Sequence, residues 1–318
     1  MNREVLSKYD CMTVGECPNV TFQQAIDYTG ADRHELNMLF QFELMDVDSG
    51  PISKFHLVPF DLVKFKRIQT KWQKGLEGKA WNSIFLSNHD QPRPVSRFGN
   101  DSQEFRKLSA KMLGTMNHTL QGTPYVYQGE ELGMTNVPFT DINEFNDLET
   151  LNFWDENVVH GKMDREEAMK GFRFKSRDNA RTPMQWDSTE NGGFTTGKPW
   201  IKINPNYKTI NAEESLKDPD SIFYYYQKLI KLRHQYDIIV YGTYDEFYPD
   251  DKNLYVYTRT LDSQKLFVAL NFTKESHPLQ IPNGLDLSGS KLLISNYNNT
   301  DTVPSQLRPY EAIVYLKK

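Results

Sequence analysis

Cysteine is nearly absent from this sequence, with Cys11 and Cys17 the only two in 318 residues. That supply excludes a scaffold stapled by several disulfides. Two cysteines six positions apart with no nearby histidine offer at most half of a zinc site, so both are read as free thiols. Long apolar runs are lacking too. Nowhere do eighteen consecutive apolar residues occur, which excludes a helical membrane span. The opening "MNREVLSKYDCMTVGECPNV" mixes charges throughout and has no apolar region of the export-signal kind. A cytoplasmic protein is the expectation. Charge of one sign is also in short supply: 37 basic residues stand against 42 acidic ones, a formal −5, with no long basic block. Neither a nucleic acid nor a membrane surface is therefore an expected partner.

What is present is the material of a large core. With 38% hydrophobic and 13% aromatic residues, the chain suits about two domains. Strand-like apolar runs, "YDCMTVGE", "ELNMLFQFEL", "WNSIFLSNHD" and "TPYVYQGEE", alternate with segments of helical spacing, the rhythm of an α/β protein. Thr21 and Gln24 have capping-box spacing, and Gly30 can end that turn. Leu62, Phe65, Ile68, Trp72 and Leu76 predict a long helix, as do Phe105 to Leu120, with Ser102 as the expected cap and Gly122 as the stop. Residues 132–220 are irregular and too long for a plain connection, so they read as a functional excursion carrying short helices. After the helical "SIFYYYQKLIKLRHQYD", short alternating runs from near Ile238 predict an antiparallel β domain. The division expected is 1–237 and 238–318.

Chemically useful groups lie at or near the C-terminal ends of the first three runs: Glu16, then Glu43, then His89 with Asp90. In parallel barrels the active site is built on that rim. A single carboxylate there caps a helix or faces water just as readily. Two acids on one rim suit the cleavage of a glycosidic bond, where one must be protonated and the other ionised. Tyr127, Gln128, Trp154 and Trp186 suit a sugar ring, and equally suit packing.

Five ordered stretches, "MTVGE", "NHDQPR" with "VSRFGND", "GTPYVYQGEELGMTNV", "RDNARTPMQW" and "GFTTGKPWIKINPNY", resemble consecutive signatures of the α-amylase-type glycoside hydrolases, in particular the oligo-1,6-glucosidase and α-glucosidase subgroup. The resemblance runs over nearly the whole chain. It implies the C-terminal half of a (β/α)8 barrel, followed by an all-β antiparallel domain. It also implies a retaining hydrolase that releases glucose from short α-1,6-linked, isomaltose-type oligosaccharides. Glu16 matches the general acid/base, and Asp90 the carboxylate that steadies the positively charged sugar. His89 matches a donor to the glucose hydroxyls, and Arg177 an arginine that closes the terminal-glucose subsite. Arg93 and Arg97 read either as support for the loop, with a possible reach to the acceptor sugar, or as members of surface ion pairs.

The resemblance also sets out what these residues do not hold. The family's nucleophilic aspartate belongs to the end of the fourth barrel strand, and "MNREVLSKYD" resembles the approach to the fifth. The expectation is therefore an incomplete chain, with four of eight barrel strands and an N-terminal half as its partner. The alternative is a truncated or split-gene product that at most binds sugar weakly. Glu43 and Asp46 are not expected to replace the nucleophile. No cofactor is implied, since the family's calcium loop would lie in the missing part. Within "CPNV", Cys17 and Asn19 stand where methionine and glycine are expected of 1,6-specific members, and Pro94 replaces an aliphatic residue. The arginine-rich acceptor loop of sucrose isomerases has no counterpart, which favours hydrolysis over isomerisation.

Overall fold

The computed structural model describes residues Met1–Lys318. Strand β1 (Val14–Glu16) leads through Thr21 into helix α1 (Phe22–Thr29). The Thr21 hydroxyl caps the Gln24 amide while the Gln24 side chain answers the Thr21 N–H, so the capping box forms as its spacing predicts. Strand β2 (Met38–Phe40) runs parallel to β1. Helix α2 (Leu62–Leu76) starts where the Asp61 carboxylate accepts the Val63 and Lys64 amides, and it buries Leu62, Phe65, Ile68, Trp72 and Leu76 on one face. Strand β3 (Ser83–Ile84), the short helix α3 (Pro94–Arg97) and helix α4 (Arg106–Thr119) follow, and β4 (Thr123–Pro124) pairs parallel with β3.

The four strands are shorter than the apolar runs that announce them. Only two or three residues of each enter a ladder, because burial on both faces makes a run apolar whether or not its neighbours hydrogen-bond. The β1–β2 and β3–β4 pairs are separate ladders, and aromatic packing closes the seam between them. Phe40 meets Phe85 edge-on at 5.1 Å and Tyr125 at 4.6 Å. The outer edges of β1 and β4 have no strand beside them in this chain. Ser102 does not cap α4: its carbonyl accepts from Phe105 and Arg106, and the helix proper begins after Phe105. The helix ends at Thr119, with Leu120 already extended, before Gly122.

Residues 132–220 contain helices α5 (Leu148–Phe153), α6 (Arg165–Lys175) and α7 (Ala212–Lys217), with a π-helical turn at Trp154–Val159. They close over a core of their own, in which Phe139, Phe145, Met169 and Phe172 pack on Phe55 from the loop after β2. Helix α8 (Ile222–Gln235), capped by Ser221, lies along α4, and helix α9 (Asp237–Tyr241) follows it directly. The sheet therefore starts at Thr243. Strands β5 (Thr243–Phe247), β6 (Leu254–Leu261) and β7 (Gln264–Asn271) form a meander. Strand β8 (His277–Pro278), β9 (Lys291–Ser295), β10 (Gln306–Leu307) and β11 (Ala312–Lys317) complete this region, with sheet order β5-β6-β7-β11-β9 and a separate β10-β8 pair.

One core of 34 buried residues spans both regions, from Leu39 and Trp72 through Met116 to Tyr257 and Val314. Two buried cations sit at the junction. Lys66 of α2 donates to the carbonyls of Tyr248 at 2.8 Å and Leu254 at 3.1 Å. Arg259 of β6 donates to the carbonyls of Thr119 at 2.7 Å, Ile239 at 2.8 Å and Gly242 at 3.1 Å. These carbonyl acceptors, with Glu246 Oε1 3.9 Å from the Lys66 ammonium, are what make such burial tolerable.

Candidate active site

The loop after β3 carries the residues that the sequence marks most strongly. Asn88 Oδ1 accepts the Asp90 N–H at 2.7 Å, a tight Asx turn that pushes the Asp90 carboxylate outward. That carboxylate is 28% exposed and three cationic or imidazole groups surround it. Arg181 Nη2 donates to Oδ1 in a short charge-assisted bond. Arg177 Nη1 stands 3.8 Å from the same oxygen, and His89 Nε2 stands 3.8 Å from Oδ2. Arg181 Nε also donates to the His89 carbonyl at 2.9 Å, which fixes the loop from outside. His89 itself is largely open to solvent.

The structure thus gathers His89, Asp90 and Arg177 into one cluster. Glu16 ends β1 with its side chain exposed and makes no ion pair. No direct contact joins it to Asp90. Glu16 is the last residue of β1, and Asp90 lies in the loop that leaves β3. Asn19, just beyond Glu16, has φ 64°, the left-handed conformation that favours glycine and that asparagine tolerates. Asparagine at this glycine-expected position therefore keeps the turn.

The proline-flanked exit is solid. Pro94 occupies the first turn of α3, where its fixed φ suits the helix, and Arg93 and Arg97 are buried rather than paired at the surface. Arg93 donates to the carbonyls of Gln128 at 2.6 Å and Asn179 at 3.1 Å. Arg97 grips Asp48 through Nη2 at 2.6 Å and Nε at 2.9 Å, and Lys175 reaches the same carboxylate. Both arginines tie loops together and face no open space, which corrects the surface-pair and acceptor-sugar readings. Behind the loop, Ser87 donates to Glu130 at 3.0 Å, as does the Tyr226 hydroxyl at 3.1 Å. Burial with no cation in contact pushes the Glu130 carboxyl up to about 7, against the pull of these donors. Glu43 is a structural acid, accepting from Lys71 at 2.8 Å and Trp72 Nε1 at 2.9 Å. Trp154 packs on Phe172 under the Arg165 guanidinium, whereas Trp186 is half exposed.

Two site-forming residues escape sequence reasoning. Arg181 falls inside "RDNARTPMQW" four positions after Arg177, a spacing that could have flagged it. Asp147, which accepts from Arg177 Nε at 2.8 Å, lies in "EFNDLET" with no signal around it. No group of three or more His, Cys, Asp or Glu side chains is arranged to hold a metal ion, and no helix is long and apolar enough to cross a membrane.

Two parallel strand pairs interleaved with helices, joined to an antiparallel sheet, fit half of a parallel α/β barrel followed by a β domain. The family model described as "Alpha amylase, catalytic domain" matches residues 1–242, and the chain belongs to that family. Among relatives, it is 55% identical to the oligo-1,6-glucosidase of Parageobacillus thermoglucosidasius over 99% of this chain and 56% of that protein. Its structure superposes on that of Bacillus licheniformis trehalose-6-phosphate hydrolase with TM-score 0.93 and 48% identity, over 99% of this chain and 57% of the other. It superposes equally on an isomaltulose synthase from Klebsiella sp. LX3, TM-score 0.93 and 40% identity, again over 99% and 57%. The chain therefore spans little more than half the length of the proteins it matches.

Proposed function

We propose that these residues form the acid/base and sugar-steadying part of a retaining α-glucosidase that releases glucose from the non-reducing ends of short α-1,6-linked oligosaccharides. Glu16 donates a proton to the leaving oxygen and then takes one from water. Asp90, set among Arg181, Arg177 and His89, steadies the oxocarbenium-like sugar, while His89 and Arg177 bind its hydroxyls. The observation that carries the reading is the Asp90 cluster: a carboxylate held by two guanidinium groups yet left open to a ligand. The nucleophile, which retention requires about 5 Å from the acid/base carboxyl, is assigned to a segment outside residues 1–318. In this reading residues 1–237 are barrel and 238–318 are a β-sandwich. The small oligosaccharide is the only ligand it requires, with a complementing N-terminal half as partner.

The test joins this chain in frame to the preceding segment of the Parageobacillus relative and measures glucose released from isomaltose. Glu16→Gln should lower the rate on the order of 10²–10⁴-fold with unchanged folding, the usual contribution of a general acid/base. Activity that survives Glu16→Gln sinks the assignment. Preferred turnover of trehalose-6-phosphate, or isomerisation of sucrose, would redirect it toward the other relatives. A fusion that folds but is inert would favour the non-catalytic alternative.

A further inference from the structure

Behind the Asp90 cluster lies a second carboxylate that neither sugar nor solvent can reach. The Asp147 side chain is fully buried. Its Oδ1 accepts from Arg177 Nη2 at 2.6 Å and Nε at 2.8 Å, and Arg181 Nη1 stands 3.5 Å away. Its Oδ2 accepts the Thr150 hydroxyl at 3.0 Å, and Thr150 in turn meets the hydroxyl of Ser176, the residue before Arg177, at 2.9 Å. The backbone around it is pinned as well. Asp178 Oδ2 accepts the amides of Asn146 at 2.7 Å and Asp147 at 2.9 Å. Two arginines thus stand between two carboxylates, with Asp147 closed off on one side and Asp90 open on the other.

We propose that Asp147 is the positioning residue of this site: by gripping Arg177 from behind and setting its charge 3.5 Å from Arg181 Nη1, it aims their remaining N–H groups at Asp90 and at the space where a ligand sits. The chemistry favours this division of labour. A guanidinium is a planar fork whose direction is fixed once two of its N–H groups are committed to one carboxylate. Asp147 spends Nε and Nη2 of Arg177 in that way and leaves Nη1 directed toward Asp90. Without Asp147 the two cations would be free to collapse onto Asp90 or swing to Glu149, whose Oε2 is already 3.3 Å from Arg177 Nε. The hydrogen bond and charge of Asp147 also raise the Arg177 pKa, so its removal makes that guanidinium easier to deprotonate and more nucleophilic. The inference rests on reading Asp90 and Arg177 as sugar-facing groups, but its test makes no use of glucose release, so either can fail without the other.

The 318-residue chain is treated with phenylglyoxal, and adduct formation at Arg177 and Arg181 is followed by peptide mass mapping against the exposed Arg67, with the thermal midpoint recorded as a check on folding. Asp147→Asn should speed labelling severalfold at both arginines and leave Arg67 unchanged, and Asp147→Glu should bring both back toward the original rate. Labelling that rises at Arg177 alone, or at neither, overturns the proposal. So does a failure of the glutamate to rescue. If Asp147→Asn does not fold, Thr150→Val decides: it removes the hydroxyl shared by Asp147 Oδ2 and Ser176 while leaving the Asp147 carboxylate in place, and should raise labelling at both arginines by a smaller factor, and unchanged rates would again overturn the proposal.

Discussion

Two clusters in this chain are made of the same parts, a carboxylate between two cations, and differ in what surrounds them. Asp48 with Arg97 and Lys175 is sealed, each side chain at most 2% exposed. Asp90 with Arg177 and Arg181 is 26–28% exposed. The sealed cluster knots the loop after β2, the α3 turn and the end of α6, and leaves no room for anything else. The open cluster leaves one face of its carboxylate to solvent. Ion pairs in proteins are poor indicators of function by themselves. Solvent access is what separates a knot from a site.

The largest expected effect breaks the knot. Asp48→Asn leaves two buried cations facing each other without a counter-charge and should cost about 3–5 kcal/mol. Asp90→Asn in the open cluster should cost about 1 kcal/mol or less. Urea unfolding of the two variants side by side checks the contrast, and equal losses would mean that exposure does not divide the clusters as argued. A carboxyl with no cation in contact extends the comparison. Glu130 has its pKa raised to about 7 in the fold, so its protonated form is favoured there. Its contribution is fully present below pH 4.5, falls as the unfolded chain ionises first, and is lost as pH passes about 7, a total of about 3 kcal/mol. The stability difference between the unmodified chain and Glu130→Gln, measured from pH 4.5 to 8, should move by that amount in favour of glutamine.

The smallest effect sharpens the contrast from the other side. Burial and the neighbouring Arg97 bring the Lys175 ammonium down to about 8, more than Asp48 can offset. The charged form is thus a net burden in the knot at neutral pH. Lys175→Met, which keeps the stem and leaves Asp48 with Arg97, should change stability by about 1 kcal/mol or less, and in the favourable direction. A loss as large as that of Asp48→Asn would show that Lys175 is an essential member after all.

These comparisons also show how far the sequence could be read. Local chemistry was legible: the Thr21–Gln24 box, the apolar stripe of α2 and the Ser221-started α8 follow from spacing alone, because each depends on residues within a turn or two. The length of β1 to β4 was not, since an apolar run reports burial and says nothing of ladder pairing. Loop support was one of two readings of Arg97, and the surface-pair alternative failed for a related reason. The partner of Arg97, Asp48, lies 49 residues away, and charge in a sequence is taken as exposed until the partner is seen. The open cluster joins groups still farther apart, Arg181 and Asp90 being separated by 91 residues. Arg177 was singled out only because its motif resembles a known family. Arg181 shares that motif but was passed over, Asp147 carries no such mark, and only the folded chain brings the two together.

Lys66 and Arg259, the buried cations at the junction, give the β sheet a standing that its distance from the cluster would not suggest. Prising the sheet from the helices would part an ammonium and a guanidinium from carbonyls that accept from them across the junction. The sheet is accordingly a keystone rather than an appendage, since the shared core and both cations bind it to the helices behind the rim.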